Sequence, residues 1–232
     1  MSRNGLKLGV LSSWNTRCGV AEYCKYLLQH LAGTDIHYEV FSNSEALTVS
    51  SDEPFVHRAW DNSLGTLHRL VRLIASRNLD CLLIQYHPGF YLPATLAALL
   101  DHLRRMELPV LIIHHTTAHE EIPGAVNALA TVALNLVHSE ADVTRFAAYG
   151  LRNVMRIHHG IYTAQRATEE ATSSDGQFVI GGFGFLMPHK GFAELIEAAY
   201  LLRSHIPGLK VELYASSYPS VSSGPRSRKC CR

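Results

Sequence analysis

No run of apolar residues in this sequence is long enough to cross a bilayer as a helix, which takes roughly 18 or more in succession. The start, MSRNGLKLGVLSS, passes directly into a strand-and-loop pattern, so no secretion signal is expected. Peripheral membrane contact stays open. Charge is sparse: 18% of residues are Asp, Glu, Lys or Arg, below the usual ~25%. The 21 basic and 20 acidic residues leave a net charge of +1, which gives no general case for a nucleic-acid partner. The cysteines, Cys18, Cys24, Cys81, Cys230 and Cys231, include no C-x-x-C pair. Free thiols in a reducing, cytoplasmic compartment fit them better than a disulfide scaffold.

Several catalytic signatures are also missing. There is no G-x-S-x-G nucleophile elbow, no G-x-x-x-x-G-K-[ST] loop and no carboxylate pair at hydrolase spacing. His115 and His119 are four apart, but Thr116 stands where a zinc protease motif needs its glutamate base. The 14 histidines look spread out rather than grouped as ligands, and no metal site is expected.

What is present is an alternation of apolar runs and helical periods. Leu6–Leu11 reads as a first strand, a polar loop with Arg17 and Gly19 follows, and Val20–Leu31 has helical spacing that stops at Gly33. Ile36–Ser42 is a second strand, and residues 43–57 read as a long polar loop. Leu64–Ile74 is a helix that Asp61 or Ser63 could cap. Asp80–Tyr86 is the clearest buried strand and runs into Gln85, Tyr86, His87, Pro88 and Gly89, a mix suited to a pocket lip or to a packed turn. A Leu- and Ala-rich helix over 92–106 and a strand at Pro109–Ile113 come next, ending at His114 and His115. Residues 122–130 form a short helix and Thr131–Val137 a strand. Ser139 and Asp142 form a capping box for the following helix, and Arg152–Ile157 is a last strand. Strands near residues 8, 38, 83, 111, 134 and 155 thus alternate with helices, which predicts an α/β fold with a mostly parallel sheet.

Residues 1–161 make this first domain, residues 162–176 read as a linker, and residues 177–232 begin a second. Phe178–Ile180 reads as a strand, the glycines 181, 182 and 184 as a loop, and Phe192–Tyr200 as a helix. Such a loop, with Lys190, can bring N–H groups and a positive helix end to an anion, or Lys190 can merely face solvent. A strand follows at Lys210–Tyr214, then a Ser-, Pro- and Arg-rich end. Two strands and one helix are too few for a core of normal size, so this second domain is expected to be cut short.

In the order of its motifs the chain resembles the retaining GT-B glycosyltransferases, in particular the group 1 or family 4 class. The motifs are TRCGVAEYCKYLL, QYHPGFY, IIHHTT, VHSEAD, RIHHGI and GGFGFLMPHKGFAELIEAA, together spanning about residues 6–214. The resemblance implies a GT-B-like fold with a complete Rossmann-like N-terminal domain on the acceptor side and the start of a second, donor-binding one. It implies sugar transfer from a nucleotide-sugar to the hydroxyl of a glycan, lipid-linked sugar or small glycoside. The nucleotide-sugar is a substrate, and no cofactor is implied. By position, Gly19 approaches the donor from the N-terminal side, and Lys190 contacts its diphosphate with Gly182 and Gly184 nearby. His114 orients the transferred sugar, while Arg17, Gln85, Tyr86, His87 and Glu140 line the cleft or acceptor side. Phe185 stands where many such enzymes carry an arginine, and the acidic pair that holds the donor sugar and ribose is expected beyond residue 214. Alternatives are an inactive remnant or binding module of the same fold, or another GT-B-like enzyme such as a sugar-nucleotide epimerase.

Overall fold

A computed structural model of the protein describes residues 5–44, 47–61, 63–91, 93–117, 122–161 and 178–217. The predicted linker, His119, Glu120, Glu121 and the cysteines of the tail lie outside these residues. The chain divides into two compact units, Met1–Ile161 and Tyr162–Arg232.

The first unit is built on one sheet of seven strands: β1 (Leu6–Leu11), β2 (Ile36–Asn43), β3 (Val56–Trp60), β4 (Cys81–Tyr86), β5 (Val110–His114), β6 (Leu134–Val137) and β7 (Val154–Arg156). Their order is β3-β2-β1-β4-β5-β6-β7, and every neighbouring pair is parallel. The helices are α1 (Gly19–Gln29), α2 (Leu64–Ala75), α3 (Pro93–Arg105), α4 (Ile122–Leu129) and α5 (Glu140–Ala148).

Strand alternation sends adjacent residues to opposite faces. Leu11, Phe41, Ile84 and Ile112 face a core shared with Leu70 of α2, Leu100 of α3, Leu129 of α4 and Phe146 of α5. Val10, Val40, Leu83 and Ile113 face the other side, against Cys24 and Leu28 of α1. Each fully buried Leu or Ile contributes about 1.5–3 kcal/mol, so the central strands are the most strongly fixed part of the unit. Three free thiols occur among the described residues: Cys18, Cys24 and Cys81.

Six strands lie where the apolar runs put them. The seventh, β3, falls inside and just past the stretch read as a loop. Its sequence, VHRAW, carries two polar side chains, which are satisfied by partners distant in sequence. His57 Nε2 meets Glu39 at 2.9 Å, and Arg58 pairs with Asp52.

In the second unit, β8 (Val179–Phe185) pairs in parallel with β9 (Lys210–Ser216), joined through a 3-10 turn at Pro188–Lys190 and helix α6 (Phe192–Leu202). Here the glycine-rich loop is corrected: Gly181, Gly182 and Gly184 are strand residues, opposite Glu212, Leu213 and Ala215. Pairing with β9 outweighs the weak strand preference of glycine. Gly182 has a packing reason as well, since a Cβ there would come within 3.0 Å of Leu195 Cδ2 and 3.2 Å of Leu213 Cδ2. It lets α6 lie close on the strand.

Candidate functional site at the carboxyl edge of the sheet

In a doubly wound sheet, ligands bind outside the carboxyl ends of the strands where the order reverses. Here that point lies between β1 and β4. The loop after β1 is buried and polar: Ser12, Ser13, Asn15 and Thr16 are all shielded from water. It is held from the β2–β3 connection. Asn15, with φ +51°, donates from Nδ2 to the carbonyl of Ser51 and to Asp52 Oδ1, both at 3.0 Å. Trp14 Nε1 donates to Glu53 Oε2 at 2.8 Å, and Arg58 donates to the carbonyl of Trp14 at 2.9 Å. Thr16 forms an isolated antiparallel bridge with Thr48.

This fixed loop delivers the chain to α1, which begins at Gly19. No side chain caps that end, so the first N–H groups and the positive helix end are free for an oxygen-rich or anionic group. Arg17 is exposed just ahead of it.

The strand ends on the β4–β5 side sort by face. Gln85 and His115 lie on the α1 side, where His115 Nε2 donates to Gln85 Oε1 at 2.7 Å. Tyr86 and His114 lie on the opposite side. His114 is only 2% exposed, packed edge-on against Tyr86 and Phe146, with Nε2 on Asn135 Oδ1 at 2.9 Å. Burial lowers its pKa to about 4, so it is neutral at pH 7. His114 therefore packs within the core in this unit. The histidine that reaches open space is its neighbour.

Around His115 a cluster assembles that the sequence did not reveal. His138 follows β6, His159 lies just past β7, and Tyr23 stands one turn into α1. The Tyr23 ring is 4.9 Å from His115, 5.8 Å from His138 and 5.1 Å from His159, centroid to centroid. One ring nitrogen of each histidine lies within 4.8 Å of those of the others, so the histidines are not all spread out. Burial first, then the neighbouring histidines, lowers the pKa of His115 to about 3 and also depresses that of His138.

Around this edge, His87 turns its Nδ1 onto the Gly89 N–H at 3.0 Å, closing the turn after β4. Ser139 caps α5 as expected, accepting from the Asp142 N–H at 3.1 Å. Asp142 also accepts from Thr117, tying the loop after β5 to α5. Glu140 is exposed and bound to Arg156 Nε at 2.8 Å.

In the second unit, Gly191 takes φ +73° and opens α6 without a side-chain cap, directly after the exposed Lys190. Glu194 places a carboxylate in the first turn of the same helix. The first turn of α6, rather than a loop at Gly182 and Gly184, is the helix end next to Lys190.

No family model and no curated protein matches the chain. Solved structures do. One is an alpha-glucosyltransferase in complex with UDP and a 13-mer DNA containing a HMU base: TM-score 0.55, 10% identity, 93% of this chain and 68% of that one covered. Another is an alpha-glucosyltransferase with UDP and a 13-mer DNA containing a central A:G mismatch: TM-score 0.51, 10% identity, 90% and 67% covered. The fold is GT-B-like. At this identity the likeness is one of fold alone.

On that fold, Gly19, Gln85 and His115 come from the two strand ends at the reversal point and the one beside it, whereas Tyr86 and His114 turn away from α1. The signal that could have separated them is the period of 2: in QY and HH, adjacent residues must part to opposite faces. The grouping of His115, His138 and His159 has no local signal, because it depends on β5, β6 and β7 being neighbours.

Proposed function

We propose that the protein transfers a sugar from a nucleotide-activated donor to an acceptor hydroxyl, with retention of configuration. The reading is supported above all by the fixed loop and uncapped α1 at the reversal point of a GT-B-like sheet. Loss of a nucleoside diphosphate leaves growing negative charge on its oxygen, and preorganised N–H groups stabilise such charge best. The first turn of α1, from Gly19, suits an approach to the donor. Lys190 and the first turn of α6 suit its diphosphate, as a point charge beside a helix end. Arg17 and His87 suit the acceptor side, and the wholly buried Gln85 acts there only through His115.

For the acceptor we favour a glycan, a lipid-linked sugar or a small glycoside. DNA belongs to the two alpha-glucosyltransferase complexes, and the near balance of 21 basic and 20 acidic residues here gives no matching polyanion surface. Among the described residues no helix is long and apolar enough to cross a membrane. We place the protein in the cytoplasm, with peripheral membrane association compatible.

The test is binding and turnover of a panel of nucleotide sugars, by this chain and by any longer form of it. Lys190→Ala is expected to weaken donor binding about tenfold or more, the effect of losing one charge-assisted contact. Unchanged affinity removes Lys190 from the diphosphate. Absence of binding to every nucleotide sugar sinks the transferase reading, and binding without turnover makes the protein a binding module of the same fold.

A further inference from the structure

Three histidines from three strand ends meet on the α1 side of the first unit's sheet. Each has one ring N–H committed to an oxygen. His115 donates from Nε2 to Gln85 Oε1 at 2.7 Å, His159 from Nδ1 to the carbonyl of Gly160 at 2.9 Å, and His138 from Nδ1 to the carbonyl of Ile157 at a longer 3.4 Å. Carbonyl and amide oxygens only accept, so these bonds set the tautomers. The lone pairs are left on Nδ1 of His115 and on Nε2 of His138 and His159. Nε2 of His138 is sealed from water and has no hydrogen-bond partner. A shielded, unpartnered ring nitrogen calls for an explanation, and a bound ion is one. Histidines that ligate a metal characteristically donate their other N–H to a carbonyl or carboxylate, the pattern all three show.

We propose that His115, His138 and His159 bind one divalent transition-metal ion, zinc foremost, with a fourth position open to water or an anion. Three imidazole nitrogens suit zinc, and calcium and magnesium prefer oxygen. One ring nitrogen of each already lies within 4.8 Å of the others. Zinc–nitrogen bonds of about 2.0–2.1 Å need ligand nitrogens about 3.4 Å apart in a tetrahedron, so the widest separation must close by up to about 1.4 Å. His159 can supply that movement, being exposed and outside any helix or strand. Tyr23 packs edge-on or tilted against all three rings and limits how they turn. Among the described residues the cluster contains no carboxylate, so the site formed by them keeps the ion's charge at the sheet edge that also carries the open end of α1. The site goes beyond the proposed sugar transfer and does not depend on it.

The experiment titrates the chelator-treated full chain with Zn²⁺ and, separately, with Co²⁺. One equivalent is expected to bind, and the cobalt form is expected to show visible d–d bands without a near-ultraviolet thiolate band. His138→Ala and His159→Ala are each expected to weaken binding by at least about 10–100-fold, the range for losing even a supporting group. Gln85→Leu, which releases the proton fixed on His115, should weaken it less. Circular dichroism and thermal melting establish that each variant is folded, and the exposed His159 carries the test if His138→Ala does not fold. Absence of binding, a thiolate band, or full stoichiometry and affinity in the folded His159 variant overturns the site. Nucleotide-sugar binding by the metal-free protein is measured in parallel, so failure of the zinc site and failure of the transferase reading are seen separately.

Discussion

Arg58 is the residue on which the loop before α1 most depends, and Arg58→Met measures how much. The guanidinium donates to both oxygens of Asp52 at 2.8 and 2.6 Å, to Ser42 Oγ and the Asn43 carbonyl at 3.0 Å each, and to the Trp14 carbonyl at 2.9 Å. The ion pair is partly wet, with side chains 21% and 26% exposed, so it is discounted to about 1 kcal/mol. The other three acceptors belong to buried residues. Each loses a donor that water cannot fully replace, about 1 kcal/mol apiece. The expected loss is therefore about 3–4 kcal/mol, with the methionine stem keeping the apolar contacts. For a unit of this size that lowers Tm by about 6–15 °C in calorimetry. The acid limb carries an independent sign. Hydrogen bonds from Arg58 are the leading cause that holds Asp52 below the ordinary aspartate range. A depressed pKa stabilises the fold fully above the unfolded value of about 4 and loses that contribution as pH falls through the lower folded value. Arg58→Met should lose less stability than the parent over that acid window. A loss under about 1 kcal/mol by urea unfolding, with an unchanged acid limb, would refute the reasoning.

Two further outcomes rest on packing. Cys24 is fully buried and burial pushes its thiol up to about 12, so among the described cysteines alkylation mapped by mass spectrometry should modify the half-buried Cys18 and Cys81 before Cys24, which reacts only on unfolding. Equal rates in the native protein would contradict the placement of α1. Gly9→Ala brings a Cβ within 2.5 Å of Leu79 Cδ1 and 2.8 Å of Leu82 Cδ1 and should cost about 1–3 kcal/mol in denaturant unfolding; a neutral result would mean that the β1–β4 packing is looser than described.

What the sequence disclosed and what it hid divide by the range of the interaction. Buried parallel strands show as unbroken apolar runs, so β4 and β5 were legible at once. The cap of α5 was legible too, because Ser139 and Asp142 are three residues apart and need nothing else. β3 was not, since VHRAW becomes a strand only with Glu39 and Asp52 to receive His57 and Arg58. Gly182 was legible as a special position but not for the right reason. The same absence of a Cβ serves an anion or a closely packed helix, and only the approach of Leu195 decides between them.

The two adjacent histidines at the end of β5 carry the same lesson into the site. By resemblance the first of them, His114, is the one that meets the sugar, but a single step along a strand exchanges one face for the other. His114 turns toward Phe146 and Asn135, where its neutral ring completes a core, and His115 turns toward Gln85 and Tyr23 under the start of α1. The same parity removes Tyr86 from the α1 side and keeps Gln85 on it. Gln85, His115, His138 and His159 gather on the face that α1 covers, around Tyr23. That face, rather than any one motif, is where a ligand entering at the reversal point would find the open helix end and the unpartnered Nε2 of His138.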